Sequence, residues 1–261
     1  MTRLLVVNAD DLGLSREVNA GILMGLGQGV ISDASLLVDA PCAEDACLEL
    51  LSSGIRSLGI HINLDSQFGW DLPGHERHAR EDLMAMLEDR SFLDACEGSA
   101  RSQIERFMEA GLNPTHLDTH HHVHGFYPVF RLLMDMAREY RIPAMRFSPE
   151  GYTLTTRKPV PFDREVYGRM KRLLEDEGIY SCRDMVEGAG LVSRIASYPA
   201  ELVVHPSLGG DAWRQAELET LLSEGFRSEI EDSGIRIVSF SELACAGERA
   251  GRPAAGRGPS S

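Results

Sequence analysis

Five of the chain's nine histidines fall in one short stretch, THLDTHHHVHG at residues 115–125, together with Asp118. Imidazole is a common ligand for zinc, copper, iron and nickel, so the stretch reads either as a solvated polar loop or as ligands delivered to a cation. His116, Asp118 and His120 share a face if an extended strand persists, and His120 and His124 share one if a helix begins at once. His120 belongs to both sets and is the first choice of ligand; His124 is the second. His121 and His122 fit orienting hydrogen bonds or substrate contact, and Asp118 fits the carboxylate that orients a neighbouring imidazole.

A second signal is NADD, residues 8–11. Adjacent side chains of an extended segment point to opposite faces. One aspartate can therefore ligate a metal while the other stays unligated beside it as a base. Water bound to a metal loses its proton near neutral pH, so that base need steer only one proton. Three protein ligands with open positions mark a catalytic site.

Those residues need a scaffold. RLLVVNAD is a continuous apolar run, as expected of a strand buried on both faces. Ser15 then caps a helix over LSREVNAGILMGLGQG. SDASLLVDA, SLGIHINL, PTHLD, AMRFS, ELVVHP and IRIVSFSEL read as further strands, with helices between them. Strands alternating with helices imply right-handed crossovers and a parallel sheet. About seven such units predict an α/β fold, a single-domain β/α barrel, distorted or incomplete, over residues 1–247. Functional groups of such folds gather at the carboxyl ends of the strands. Asp10, Asp11, His61, Asp118, His120, Arg146 and His205 all map to that rim. The segments from Asp65 to Asp94 and from Pro149 to Asp163 read as long loops. Residues 248–261, rich in Gly, Pro, Ala and Arg, read as a flexible tail.

Composition narrows the partners. A net charge of −14 argues against nucleic acid and anionic membranes, either of which calls for a basic face. No apolar run reaches the roughly 18 residues of a membrane span, and MTRLLVVNADDLG has no secretory pattern. Cys42, Cys47, Cys96, Cys182 and Cys245 are odd in number, scattered and without a CxxC pair, which predicts reduced thiols and a cytoplasmic setting. A homodimer is the oligomer expected.

VVNADDLGLS, GIHINL, PTHLDTHHHVHGF and VVHPS resemble, in order and spacing, the motifs of the YdjC-like carbohydrate deacetylases, which include chitooligosaccharide deacetylases. The resemblance runs from residue 3 to about residue 240, and AWRQAEL resembles that family's late helix with an arginine followed by a glutamate. It implies a β/α-barrel hydrolase that removes the acetyl group from an N-acetylated sugar or oligosaccharide of the N-acetylglucosamine type, using one divalent cation. Carried over, the metal ligands are Asp11, His61 and His120, the base is Asp10, and the general acid is His205, placed across the cavity. Apart from the resemblance, Arg146 at the end of AMRFS is expected to hold Asp10 in position. Ligand softness favours zinc, manganese, cobalt or iron over magnesium, although magnesium is often named for the family. The stretch after His205 and the loop from Asp65 to about Glu81 are shorter than in relatives acting on oligosaccharides, and both would line the substrate groove. Two alternatives remain. Hydrolysis of another amide or of a phosphoester calls for more carboxylates or clustered cations, whereas a metal- or sugar-binding protein needs neither Asp10 nor His205.

Overall fold

In the computed structural model, which describes residues 3–54, 58–70, 80–147 and 163–249, the apolar run Arg3–Leu12 is the central strand β1, buried from Leu5 to Leu12. Helix α1 (Arg16–Gly27) follows; Ser15 is its N-cap, its side chain accepting from Val18 N at 3.2 Å. The chain continues through β2 (Asp33–Leu36), α2 (Ala43–Ser53), β3 (Gly59–Ile62), α3 (Asp65–Phe68), α4 (Arg80–Glu88), α5 (Arg90–Glu109), β4 (Leu117–Thr119), α6 (Tyr127–Glu139) and α7 (Arg164–Asp176). Then come β5 (Asp184–Glu187), β6 (Ala200–Val204), α8 (Ala212–Leu222), α9 (Glu224–Asp232), β7 (Ile235–Ile237) and α10 (Phe240–Arg249).

All strand pairs are parallel, in the order β4-β3-β2-β1-β6-β5, with β7 beside the first residues of β1. The sheet curls into an open half-barrel wrapped by helices, so the expected single α/β domain with an incomplete barrel is what forms. Between β4 and β5 the ladder continues only as isolated bridges, Leu117 to Met145 and Ala144 to Tyr180. AMRFS is therefore a bridge where a strand was expected: Pro143 has no N–H to extend the ladder, and only Met145 and Arg146 donate to its two sides.

Three segments differ from the sequence reading. The loop expected from Asp65 to Asp94 contains α3 and α4; α4 is nine residues long, too short for its apolar spacing to show a period. β5 was not foreseen, because its four residues carry acids at both ends around buried Met185 and Val186. α9 adds a further helix before β7. Residues 148–162 and 250–261 lie outside the described residues, and with them most of the second expected loop and of the tail.

β3 and β4 are locked by a buried histidine. The His116 ring stacks on Phe240 with centroids 4.1 Å apart, and its Nε2 lies 3.0 Å from Ser35 Oγ. A Cβ at position 59 would sit 2.2 Å from that Nε2, which is why β3 begins with glycine. Burial pushes the His116 imidazole down to about 4, the Asp118 carboxylate only partly opposing it. A folded value below the unfolded 6.5 means that the stabilisation is complete above pH 6.5 and is lost as the pH falls towards 4. Unfolding free energy should therefore fall by on the order of 2 kcal/mol from this ring between pH 6.5 and 4.5. Urea titrations of His116→Gln should show a shallower fall than the natural protein; equal slopes would contradict this reading.

Candidate functional site

The carboxyl ends of β1, β3, β4, β5 and β6 meet at a cavity of about 240 Å³ whose walls include Asp10, Asp11, His61, His120, Glu187 and His205. Strand alternation alone would turn Asp10 and Asp11 to opposite faces. Both line this cavity because the pairing of β1 with β2 shifts register between Ala9 and Leu12, and Asp11 adopts a left-handed backbone, φ 67°. Aspartate tolerates that conformation better than bulkier residues do. The strand is bulged where the chemistry sits.

Each aspartate is held differently. Arg146 donates to both oxygens of Asp10, at 2.8 and 2.7 Å, and Asn8 Nδ2 donates to Asp10 Oδ1 at 2.8 Å. Asp11 Oδ2 accepts from Arg214 at 2.5 Å. Asp11 Oδ1 is buried without a hydrogen bond, 3.0 Å from His120 Nδ1 and 3.5 Å from His61 Nε2. Burial would raise the Asp11 carboxyl, but contacts with His120 and His61 hold it well below the usual carboxylate range.

His61 is aimed from behind. Its Nδ1 lies 2.6 Å from Asp118 Oδ1, a short contact that assigns the Nδ1 proton to this bond and turns Nε2 towards the two aspartates. Asp118 is in turn fixed by Ser35 Oγ at 2.7 Å and by Arg146 at 2.8 Å. Burial depresses the His61 imidazole, yet Asp118, Asp10 and the hydrogen bonds of Asp11 and Asp118 outweigh it and raise the ring to about 10. The carboxylates around this ring make the spot electronegative.

Beyond β4 the chain makes a 3-10 turn, His120–Gly125, with His121 (φ 55°) and His122 (φ 54°) both left-handed. Neither the strand nor the helix geometry considered from the sequence therefore persists, and the histidines diverge. His120 faces Asp11; His121 Nδ1 lies 2.9 Å from Asp65 Oδ1; His122 Nε2 lies 3.5 Å from Glu187 Oε2; buried His124 places Nδ1 2.6 Å from Thr119 Oγ1. Among the described residues three groups each have potential ligand atoms within 4.8 Å of one another: Asp11, His61 and His120; Asp65, His120 and His121; Asp10, His61 and Asp118. The first fits a divalent cation best. It pairs a carboxylate oxygen lacking a hydrogen bond with two imidazole nitrogens at the cavity floor, whereas the atoms of the third already serve as an orienting pair and an arginine clamp. His124 belongs to none of the three.

His205 Nε2 stands 4.0 Å from Asp10 Oδ2 and 3.9 Å from Glu187 Oε1, closer to Asp10 than a position across the cavity would give. Glu217 fixes the backbone on either side of this wall, accepting from His205 N at 2.6 Å and from Ala189 N at 3.0 Å. His121, His122, Trp213 and Arg214 complete the lining. The strand-end rule would have found Glu187 had β5 been recognised. Arg214 and Glu217 were visible only as the arginine and glutamate of AWRQAEL, without a stated task.

Comparison with known proteins identifies the family and the fold. The family described as YdjC-like protein matches residues 4–232. The carbohydrate deacetylase of Geobacillus stearothermophilus is 31% identical over 252 residues, covering 93% of this chain and 99% of its own. The chitooligosaccharide deacetylase of Salmonella paratyphi B is 29% identical over 259 residues, covering 93% and 100%. A crystal structure from Enterococcus faecalis V583, of a protein provisionally assigned to cellobiose-phosphate cleavage, shares the fold at a TM-score of 0.71 and 20% identity, covering 93% of this chain and 99% of that one.

If Asp118 orients His61, Asp118→Asn should weaken binding of zinc or manganese about 10–100-fold. Competition against a chromogenic chelator measures this; unchanged affinity would remove Asp118 from the site.

Proposed function

The chain belongs to the YdjC-like protein family, and on that premise we propose that it is a metal-dependent carbohydrate deacetylase, cleaving the acetamide of an N-acetylglucosamine-type sugar or oligosaccharide. The observation that carries this reading is the meeting of Asp11, His61 and His120, with ligand atoms within 4.8 Å, beside the separately clamped Asp10. The names of the Geobacillus and Salmonella relatives support the substrate class.

Asp11, His61 and His120 would hold one divalent cation, and their mix of one carboxylate and two imidazoles suits zinc, manganese, cobalt or iron, with magnesium also accepted. When bound, such an ion supplies Lewis acidity, polarising the acyl carbonyl and making water easier to deprotonate. Asp10 is the base: Arg146 occupies one direction on each of its oxygens, and Oδ2 also lies 3.8 Å from His61 Nε2 and 4.0 Å from His205 Nε2, both cavity-lining rings. It takes a proton as the water oxygen bonds to the amide carbon. His205 donates a proton to the nitrogen as the carbon–nitrogen bond breaks, giving acetate and an amine. The attacking oxygen and the departing nitrogen sit on one carbon, so an acid and a base 4.0 Å apart can serve both.

None of the described helices is long and apolar enough to cross a membrane. The free thiols of Cys42, Cys47, Cys96 and Cys182 support a reducing, cytoplasmic setting.

Acetate release from N-acetylglucosamine and its oligomers, measured on stripped protein with metals added back, tests the reading. Asp10→Asn should lower kcat by about 10²–10⁴-fold while keeping the metal. Acetate no higher than in that variant, for every N-acetyl sugar, would overturn the assignment.

A further inference from the structure

Trp213 borders the cavity with 56% of its surface open. A large exposed aromatic on a cavity wall calls for a reason more than a scattered leucine does. The ring is held in place. It sits in the first turn of α8, whose backbone is tied by Gln215 N to Asp211 O at 3.1 Å. The Arg214 guanidinium carbon stands 4.5 Å from the indole centroid, over the ring, and Arg214 is itself nearly buried and bonded to Asp11. The His205 ring lies 5.8 Å from the indole, centroid to centroid. Arg214 thus backs one side of an indole that remains largely open, adjoining both the residue that donates to a proposed metal ligand and the proposed acid.

We infer that Trp213 is a stacking platform for the pyranose ring that bears the acetamide, and so a residue that sets specificity for cyclic sugars; this rests on the deacetylase reading above. An indole face is electron-rich and attracts the weakly positive C–H bonds that a pyranose presents on one face, while the hydroxyls at the sugar's edge stay in water. A rigid ring loses little conformational freedom when it makes such a contact. Its place beside His205 puts the stacked sugar where the departing amine nitrogen has to be. An acyclic acetamide has no ring face to lay on the indole and gains nothing from it.

The test uses the full chain loaded with zinc or manganese. With the N-acetylglucosamine dimer, Trp213→Ala should raise KM about tenfold with a much smaller change in kcat, and Trp213→Tyr should restore most of the loss. For acyclic N-acetylethanolamine, Trp213→Ala should lower kcat/KM several-fold less than it does for the dimer. The dimer should also change the indole fluorescence of Asp10→Asn protein, and Asp10→Asn/Trp213→Tyr should lose that change, Trp70 being the only other tryptophan in the chain. Acetate release with an unmoved KM in Trp213→Ala would overturn the platform and leave the deacetylase reading standing. A fluorescence change without acetate from the natural protein would do the reverse. No fluorescence change in Asp10→Asn protein also overturns the platform.

Discussion

A single guanidinium sealed under the site governs the rest. Arg146 has no exposed surface and lies within salt-bridge distance of three carboxylates, Asp10, Asp118 and Glu201. Burying ions is costly unless they are paired and hydrogen-bonded, and here one cation faces up to three anions. Burial pushes the Glu201 carboxyl up to about 7, with Arg146 opposing, so this member of the group can meet the excess by taking a proton. Asp118 behaves oppositely: burial raises it, but Arg146 and His61 hold it far below the usual range. Through Asp10 the arginine fixes the proposed base, and through Asp118 it fixes the direction in which His61 points. Two of the proposed chemical tasks thus depend on one buried side chain.

The backbone makes a matching outlay. Among the described residues four non-glycine residues have positive φ, and three of them, Asp11, His121 and His122, line the cavity. Such conformations cost on the order of 1–3 kcal/mol each for ordinary residues and persist where the surroundings enforce them. At Asp11 the outlay turns two adjacent carboxylates into one cavity. At His121 and His122 it spreads four consecutive or near-consecutive imidazoles to separate partners: Asp11, Asp65, Glu187 and Thr119. A regular strand or helix would have sent them elsewhere.

These same devices mark where the sequence stopped being readable. The parallel α/β architecture was legible because β1 and β6 are continuous apolar runs with helices between them, and the strand-end rule then brought Asp10, Asp11, His61, His120 and His205 to one rim. Directions within the rim were not legible. A period of two puts Asp10 and Asp11 on opposite faces, and only the bulge changes that; no residue pattern announces a left-handed aspartate. β5 was missed because four residues ending in acids have no period, and Glu187 was missed with it. His205 was placed on the correct strand end, but its distance from Asp10 depends on how the sheet curls, which no local pattern encodes. Arg146 was assigned to Asp10, while its contacts with Asp118 and Glu201 required three separate strands to be in place.

The central assignment is that residues 11, 61 and 120 share one cation. Anomalous diffraction from crystals equilibrated with manganese or zinc measures this directly. A strong peak enclosed by the Asp11 carboxylate and the His61 and His120 rings, with Asp10 outside its coordination distance, is the expected result. A peak between Asp65 and His121 with none at Asp11, or none in the cavity at saturating metal, would contradict it.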